Sequence, residues 1–140
     1  MFRSILVAVD PDRRAEATKL LAVAAELRHS FGAALTLATV MPDWSMMLRA
    51  QRSPVAARQL FETAEARLAV LAQSVAGVGE AQHRVESGLV YRGILNAAAR
   101  IGADLILLSS PAPRWQDRLF GTTASRVARH ASCSVFVIRD

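Results

Sequence analysis

The chain has 140 residues, 52% of them hydrophobic, with a formal charge of +5 and a single cysteine, Cys133. That is the length of one compact domain, residues 1–140, with enough apolar residues for a sizeable core. One cysteine excludes an intrachain disulfide framework, and no apolar run approaches the roughly 18 residues of a membrane span. The positive charge is almost all arginine, Lys19 being the only lysine. It is scattered in pairs such as Arg13 with Arg14 and Arg126 with Arg129. That pattern describes a solvated basic surface rather than a groove tuned for specific nucleic acid.

The opening "MFRSILVAVD" reads as a first strand, Ser4–Val9, and not as a signal peptide, because Asp10 follows too early and no cleavage site comes after it. Together with the lone cysteine this places the expected location in the cytoplasm. Arg14–Phe31 has apolar residues at 17, 20, 21, 24, 27 and 31, the spacing of one helix face, and Gly32 is placed to end it as a C-cap. Ala34–Val40 is a second strand. Residues 41–54, "MPDWSMMLRAQRSP", have no clean period; Trp44, Met46 and Met47 suit adaptable packing against the domain or a second subunit. Val55–Val75 returns to helical spacing, with Leu60, Ala64, Leu68, Leu71 and Val75 on one stripe. Gly77 and Gly79 break it. Ala81–Glu86 is a more polar strand, expected at a sheet edge. Val90–Ile101 is helical, Leu105–Ser109 a buried strand, Thr122–Ala131 a helix and Val135–Ile138 a final apolar strand.

Strands alternating with helices mean βαβ units and a parallel sheet covered on both faces. Ligands in such sheets bind beyond the carboxyl ends of the strands, where strand order reverses. Two strand ends carry unusual chemistry: "VDPD", with Asp10 at its tip, and "SSPAPRWQDRLFGTT", residues 109–123, which leads into the last helix. A helix start directly after a strand and loop attracts phosphate through its unpaired N–H groups and its dipole. Gly121, Thr122 and Thr123 hold that position, and Arg114 and Arg118 could add charge-assisted hydrogen bonds. Each residue also has a plainer reading: Asp10 caps a helix or shapes a turn with Pro11, and Thr122 is a common N-cap.

Other chemistries lack their residues. There is no GxxxxGK[ST], no GxGxxG after the first strand and no GxSxG elbow. No His/Cys/carboxylate spacing suggests a structural metal, since His29, His83 and His130 fall on different elements. Cys133 precedes an apolar strand and reads as a small packed residue. The exposed apolar run "VFVI" at the end of the chain invites pairing with another copy, so a homodimer through Val135–Ile138 is expected.

The landmarks "ILVAVD", "LTLATV", "ESG", "GADLILLSS" and "FGTTASRVARHASCSVFVIR" resemble, in order and over essentially the whole length, those of the universal stress protein family. The resemblance implies an α/β fold, an open five-stranded parallel sheet of order 3-2-1-4-5 with helices on both faces. It implies dimerisation through the last strand and a binder of ATP or AMP acting as sensor or regulatory ligand in a stress response. Mg²⁺ would accompany ATP. A partner protein of unknown identity is expected, and an enzymatic role, such as weak ATPase activity, is not. By match, Val9 and Asp10 would meet the adenine and ribose, Val40 would pack on adenine, Leu108, Ser109 and Ser110 would line the ribose-phosphate side, and Gly121, Thr122 and Thr123 would bind phosphate. Members that bind nucleotide typically carry G-x2-G-x9-G-[ST]. Here Ser109 and Ala112 replace the first two glycines, and eight residues separate Ala112 from Gly121. Thr39 stands where the family often has histidine. The alternative is a family member that does not bind nucleotide and serves as a dimeric interaction module.

Overall fold

The computed structural model describes residues 1–41, 54–110 and 123–139. The elements run β1 (Ser4–Ala8), α1 (Arg14–Phe31), β2 (Ala34–Met41), α2 (Pro54–Gln73), β3 (Gln82–Ser87), α3 (Val90–Ile101), β4 (Leu105–Ser110), α4 (Thr123–His130) and β5 (Ser134–Arg139). The five strands form one parallel sheet in the order β3-β2-β1-β4-β5. The polar strand β3 lies at one edge, as its composition suggested, and the apolar β5 lies at the other.

The helices divide between the two faces because the chain reverses direction. From β1 it crosses outward to β2 and β3, then returns past β1 to β4 and β5. Right-handed crossovers therefore put α1 and α2 on one face and α3 and α4 on the other. Strand residues alternate between them. Ile5, Val7, Leu37, Leu105 and Leu107 pack under Leu20, Leu21, Leu68 and Leu71. Leu6, Ala38, Ile106 and Leu108 pack under Ile94, Ala97, Ala98 and Val127. β1 and β4, central and covered on both sides, are continuous apolar runs for this reason. Truncating a central side chain such as Leu107 to alanine costs about 2–5 kcal/mol.

Several boundaries differ from expectation, each for a local reason. β1 stops at Ala8: Val9 still donates to the Ala38 carbonyl at 2.9 Å, but the chain then turns at Asp10, whose carbonyl accepts from the Arg13 amide. α2 stops at Gln73 instead of Val75. Ser74 Oγ donates to the Leu71 carbonyl at 2.6 Å, and the Val75 amide reaches only three residues back, to Ala72. The buried part of α2 is Leu68, Leu71 and Ala72, whereas Leu60 and Ala64 are half-buried. Gly32 and Gly102 both take the left-handed conformation at φ 63° that closes α1 and α3, a conformation costly for a residue with a Cβ.

The amino ends of β1 and β4 are tied by one side chain. Asp104 Oδ2 accepts from the Arg3 amide at 2.8 Å, and Oδ1 accepts from the Ser4 amide at 3.1 Å. Those two amides hold its carboxyl below the usual carboxylate range.

Candidate functional site

The reversal in strand order falls between β1 and β4, whose register ends with Ala8 opposite Leu108. Beyond that pair β1 ends and turns toward α1, while β4 continues to Ser110 beside β5. A crevice at this place is where an open α/β sheet accepts a ligand.

The described residues singled out from the sequence lie at the carboxyl ends of β2, β1 and β4 and at the start of α4, but they do different work. Val9 and Leu108 are buried, on opposite faces of the sheet, so their side chains belong to the core. Asp10 is exposed. Its Oδ1 accepts from the Asp12 amide at 2.9 Å, and its carbonyl accepts from the Arg13 amide at 3.0 Å. It shapes the turn and does not cap α1, whose N-cap is Arg13. Val40 is half-buried, and its side chain lies over Gly93 of α3. A Cβ at Gly93 would come within 2.6 Å of Val40 Cγ2, so only glycine permits the contact. Ser110 is buried, and Thr123, the first residue of α4, is exposed. Gly121 and Thr122, with Arg114, Arg118, Trp44 and the rest of 42–53, lie outside the described residues.

Ser109 makes a contact the sequence did not signal. Its Oγ donates to Glu16 Oε1 at 2.9 Å, across 93 positions of chain. The other oxygen, Oε2, pairs with Arg13 Nε at 2.7 Å, and Glu16 is only 16% exposed. A chain Arg13–Glu16–Ser109 thus bridges the first turn of α1 to the end of β4, along the crevice. The carboxylate sits where the α1 dipole favours negative charge. The only clue in the sequence was an acid three residues into a helix, a frequent capping position.

The α4 side is different. No acidic residue stands in its first turn, and the four N–H groups that open an α-helix have no partner within it. Arg126 lies one turn in, its guanidinium 5.4 Å from the Tyr91 ring centre, with Arg92 at 5.8 Å from the same ring. Among the described residues neither arginine pairs with a carboxylate. Among the described residues this corner is basic, with no acid in the first turn of α4.

A divalent cation finds less. The Asp12 carboxylate pairs with Arg67, Glu16 is engaged twice, and Asp10 serves its turn. Among the described residues no three His, Cys, Asp or Glu side chains gather as a metal site would require. Burial pushes the Cys133 thiol up, against a thiolate nucleophile. A cleft of about 720 Å³ lined by Arg28, His29, Gly77 and Glu80 lies at the opposite end, where α1 finishes. It is remote from the strand ends where this fold presents ligands.

The universal stress protein family model matches residues 1–139. The chain belongs to the universal stress protein family. A universal stress protein from Lactobacillus plantarum is 26% identical, with a TM-score of 0.72, covering 98% of this chain and 97% of its own. A universal stress protein solved in complex with cAMP is 20% identical, with a TM-score of 0.65, over 99% and 97%. One from Archaeoglobus fulgidus solved in complex with dAMP is 18% identical, with a TM-score of 0.55, over 97% of both chains. These likenesses establish the fold shared by the family. No helix among the described residues is long and apolar enough to cross a membrane.

Proposed function

We propose that this universal stress protein is a one-domain, homodimeric, cytoplasmic protein that binds an adenine nucleotide as a regulatory ligand and not as a substrate. The observation that carries the reading is the reversal of strand order between β1 and β4, with α4 starting at the same end of the sheet and carrying no acid in its first turn. Phosphate suits that helix start. The complexes of two similar proteins with cAMP and dAMP support adenine as the base. In this reading Val9, Asp10 and Val40 lie on the base and ribose side, Leu108, Ser109 and Ser110 on the ribose-phosphate side, and Gly121, Thr122 and Thr123 at the phosphate. Val9 and Leu108 contribute backbone, since their side chains are buried.

The outer edge of β5 supports the dimer. Val135, Val137 and Ile138 are half-buried and Phe136 is 39% exposed, its ring 5.8 Å from that of Phe2. An apolar edge of this kind is normally covered. Hydrolysis is disfavoured because phosphoryl transfer needs a metal clamp and a positioned water, and among the described residues Asp12 pairs with Arg67 and Glu16 with Arg13 and Ser109.

Two measurements on the purified protein test the reading. Heat denaturation should release adenine nucleotide, or calorimetry on the stripped protein should show saturable binding of AMP or ATP. Sedimentation should give a dimer at micromolar concentration. Absence of any saturable heat up to millimolar nucleotide would leave the interaction module as the function.

A further inference from the structure

We propose that the outer surface of α3 and α4, centred on Tyr91, docks an acidic segment of a partner protein, one that sets carboxylates against Arg92 and Arg126 and an apolar side chain against Leu89 and Val90. The inference uses no part of the nucleotide reading and is tested apart from it.

The two helix layers differ in charge. α1 carries Arg14, Lys19 and Arg28 with Glu16 and Glu26, and α2 carries Arg58 and Arg67 with Glu62 and Glu65. α3 and α4 carry Arg92, Arg100, Arg126 and Arg129 and no acid. All four arginines are exposed, and among the described residues none of them pairs with a carboxylate. Glu86 of β3 is taken by Arg84 at 3.4 Å. Two of the four arginines converge on one ring. The guanidinium carbons of Arg126 and Arg92 lie 5.4 Å and 5.8 Å from the centre of Tyr91, and the His130 ring lies 6.1 Å from it. Arg92 Nε also donates to the Tyr91 hydroxyl at 3.1 Å. The negative face of the ring offsets only part of the repulsion between two like charges held this close. A carboxylate placed between them would accept from both.

The same surface is apolar beside the ring. Leu89 and Val90, directly before Tyr91 in the chain, are 58% and 47% exposed. Tyrosine and arginine next to open apolar side chains make up the centre of a protein–protein contact. A nucleic-acid backbone would use the arginines and find no partner in Leu89 and Val90. A second copy of this chain, docked symmetrically on this face, would set the same arginines against each other, and facing like charges suppress a contact. An acidic segment with an apolar side chain meets both halves of the surface.

Selection of random peptides of about a dozen residues on the immobilised full chain, followed by fluorescence anisotropy on the selected peptides, tests the assignment. The selected peptides should be rich in Asp and Glu beside Leu, Ile or Phe, and should bind equally well in millimolar AMP. Reversing both charges, Arg92→Glu with Arg126→Glu, should weaken binding at least about thirtyfold, the loss expected at the centre of an interface. Arg58→Glu, on the other helix layer, should change it less than about threefold, because salt screens charges beyond the contact. Arg92→Gln with Arg126→Gln replaces the charge reversal should that variant melt early. Recovery of no peptide, recovery of peptides without acidic excess, unchanged binding in a folded variant, or tighter binding of a short DNA duplex than of the peptides would overturn the proposal. So would displacement of the peptides by AMP, since the arginines would then belong to the nucleotide site. Failure of AMP and ATP to bind at all, with peptide binding intact, would remove the nucleotide reading and support this one.

Discussion

α1 and α4 begin at the same end of the sheet, on either side of one crevice, and their first turns are chemical opposites. α1 opens with Glu16, whose carboxylate complements the helix dipole and is locked by Arg13 and Ser109. α4 opens with no acid, and Arg126 follows one turn on. Every helix start favours negative charge. What separates a structural helix start from a ligand site is whether the chain supplies that charge itself. Here α1 does, and its start serves to join β4 to the helix layer. In the proposed function α4 leaves the role to a ligand.

Transferring the α1 arrangement to α4 tests this contrast most severely. Thr123→Glu should stabilise the helix by about 0.3–1 kcal/mol through the dipole. It should also weaken AMP binding about a hundredfold, because an internal carboxylate then competes with the phosphate. Thermal melts and calorimetry on the same sample separate the two effects. A variant that is stabilised and still binds AMP normally would show that α4 is not the phosphate end.

Gly93→Ala probes the support beneath the base side. Helix propensity alone favours alanine by about 1 kcal/mol. The new Cβ would stand 2.6 Å from Val40 Cγ2, and a branched strand residue under a helix has little room to retreat. Overpacking should win, with a net loss of about 1–3 kcal/mol in urea unfolding. Adding Val40→Ala should recover most of it. A stabilised Gly93→Ala protein would mean that Val40 moves freely.

The smallest effect is expected at the other end of the sheet, where Asp104 does for β1 and β4 what Glu16 does at the crevice. Its folded-state pKa lies below the unfolded value because the Arg3 and Ser4 amides stabilise the carboxylate. The unfolded chain therefore binds more protons as the solution is acidified. The contribution is complete above about pH 4, the ordinary carboxylate value, and is lost as pH falls through the folded pKa. Asp104→Asn should be less stable than the unmodified protein at pH 7, and the two should converge below about pH 4. Parallel stability curves down to pH 2 would show that the carboxylate charge contributes nothing.

The order of elements, the parallel sheet and its two apolar layers were all written in local patterns. Apolar residues at helical spacing in Arg14–Phe31 and the run Leu105–Leu108 declare their partners' geometry without reference to distant chain, because burial imposes period on sequence. The glycine ending α1 and the polar character of β3 are local in the same sense. The place of the strand reversal, between β1 and β4, came from the family resemblance, which implied the order 3-2-1-4-5 that the sheet has. Contacts between positions far apart in the chain were not legible. Ser109 read as a crowded replacement for glycine, and only the fold showed that its hydroxyl meets Glu16, 93 residues away. Of the two readings the sequence left open for Asp10, the turn is visible in the fold, where its carboxylate accepts from the Asp12 amide. Val9 and Leu108 were found at the right strand ends with their side chains turned into the core. Gly93 carries no local sign of its packing, which depends on Val40 of a different element. A single side chain's partner depends on which elements stack in three dimensions, and no periodicity records it.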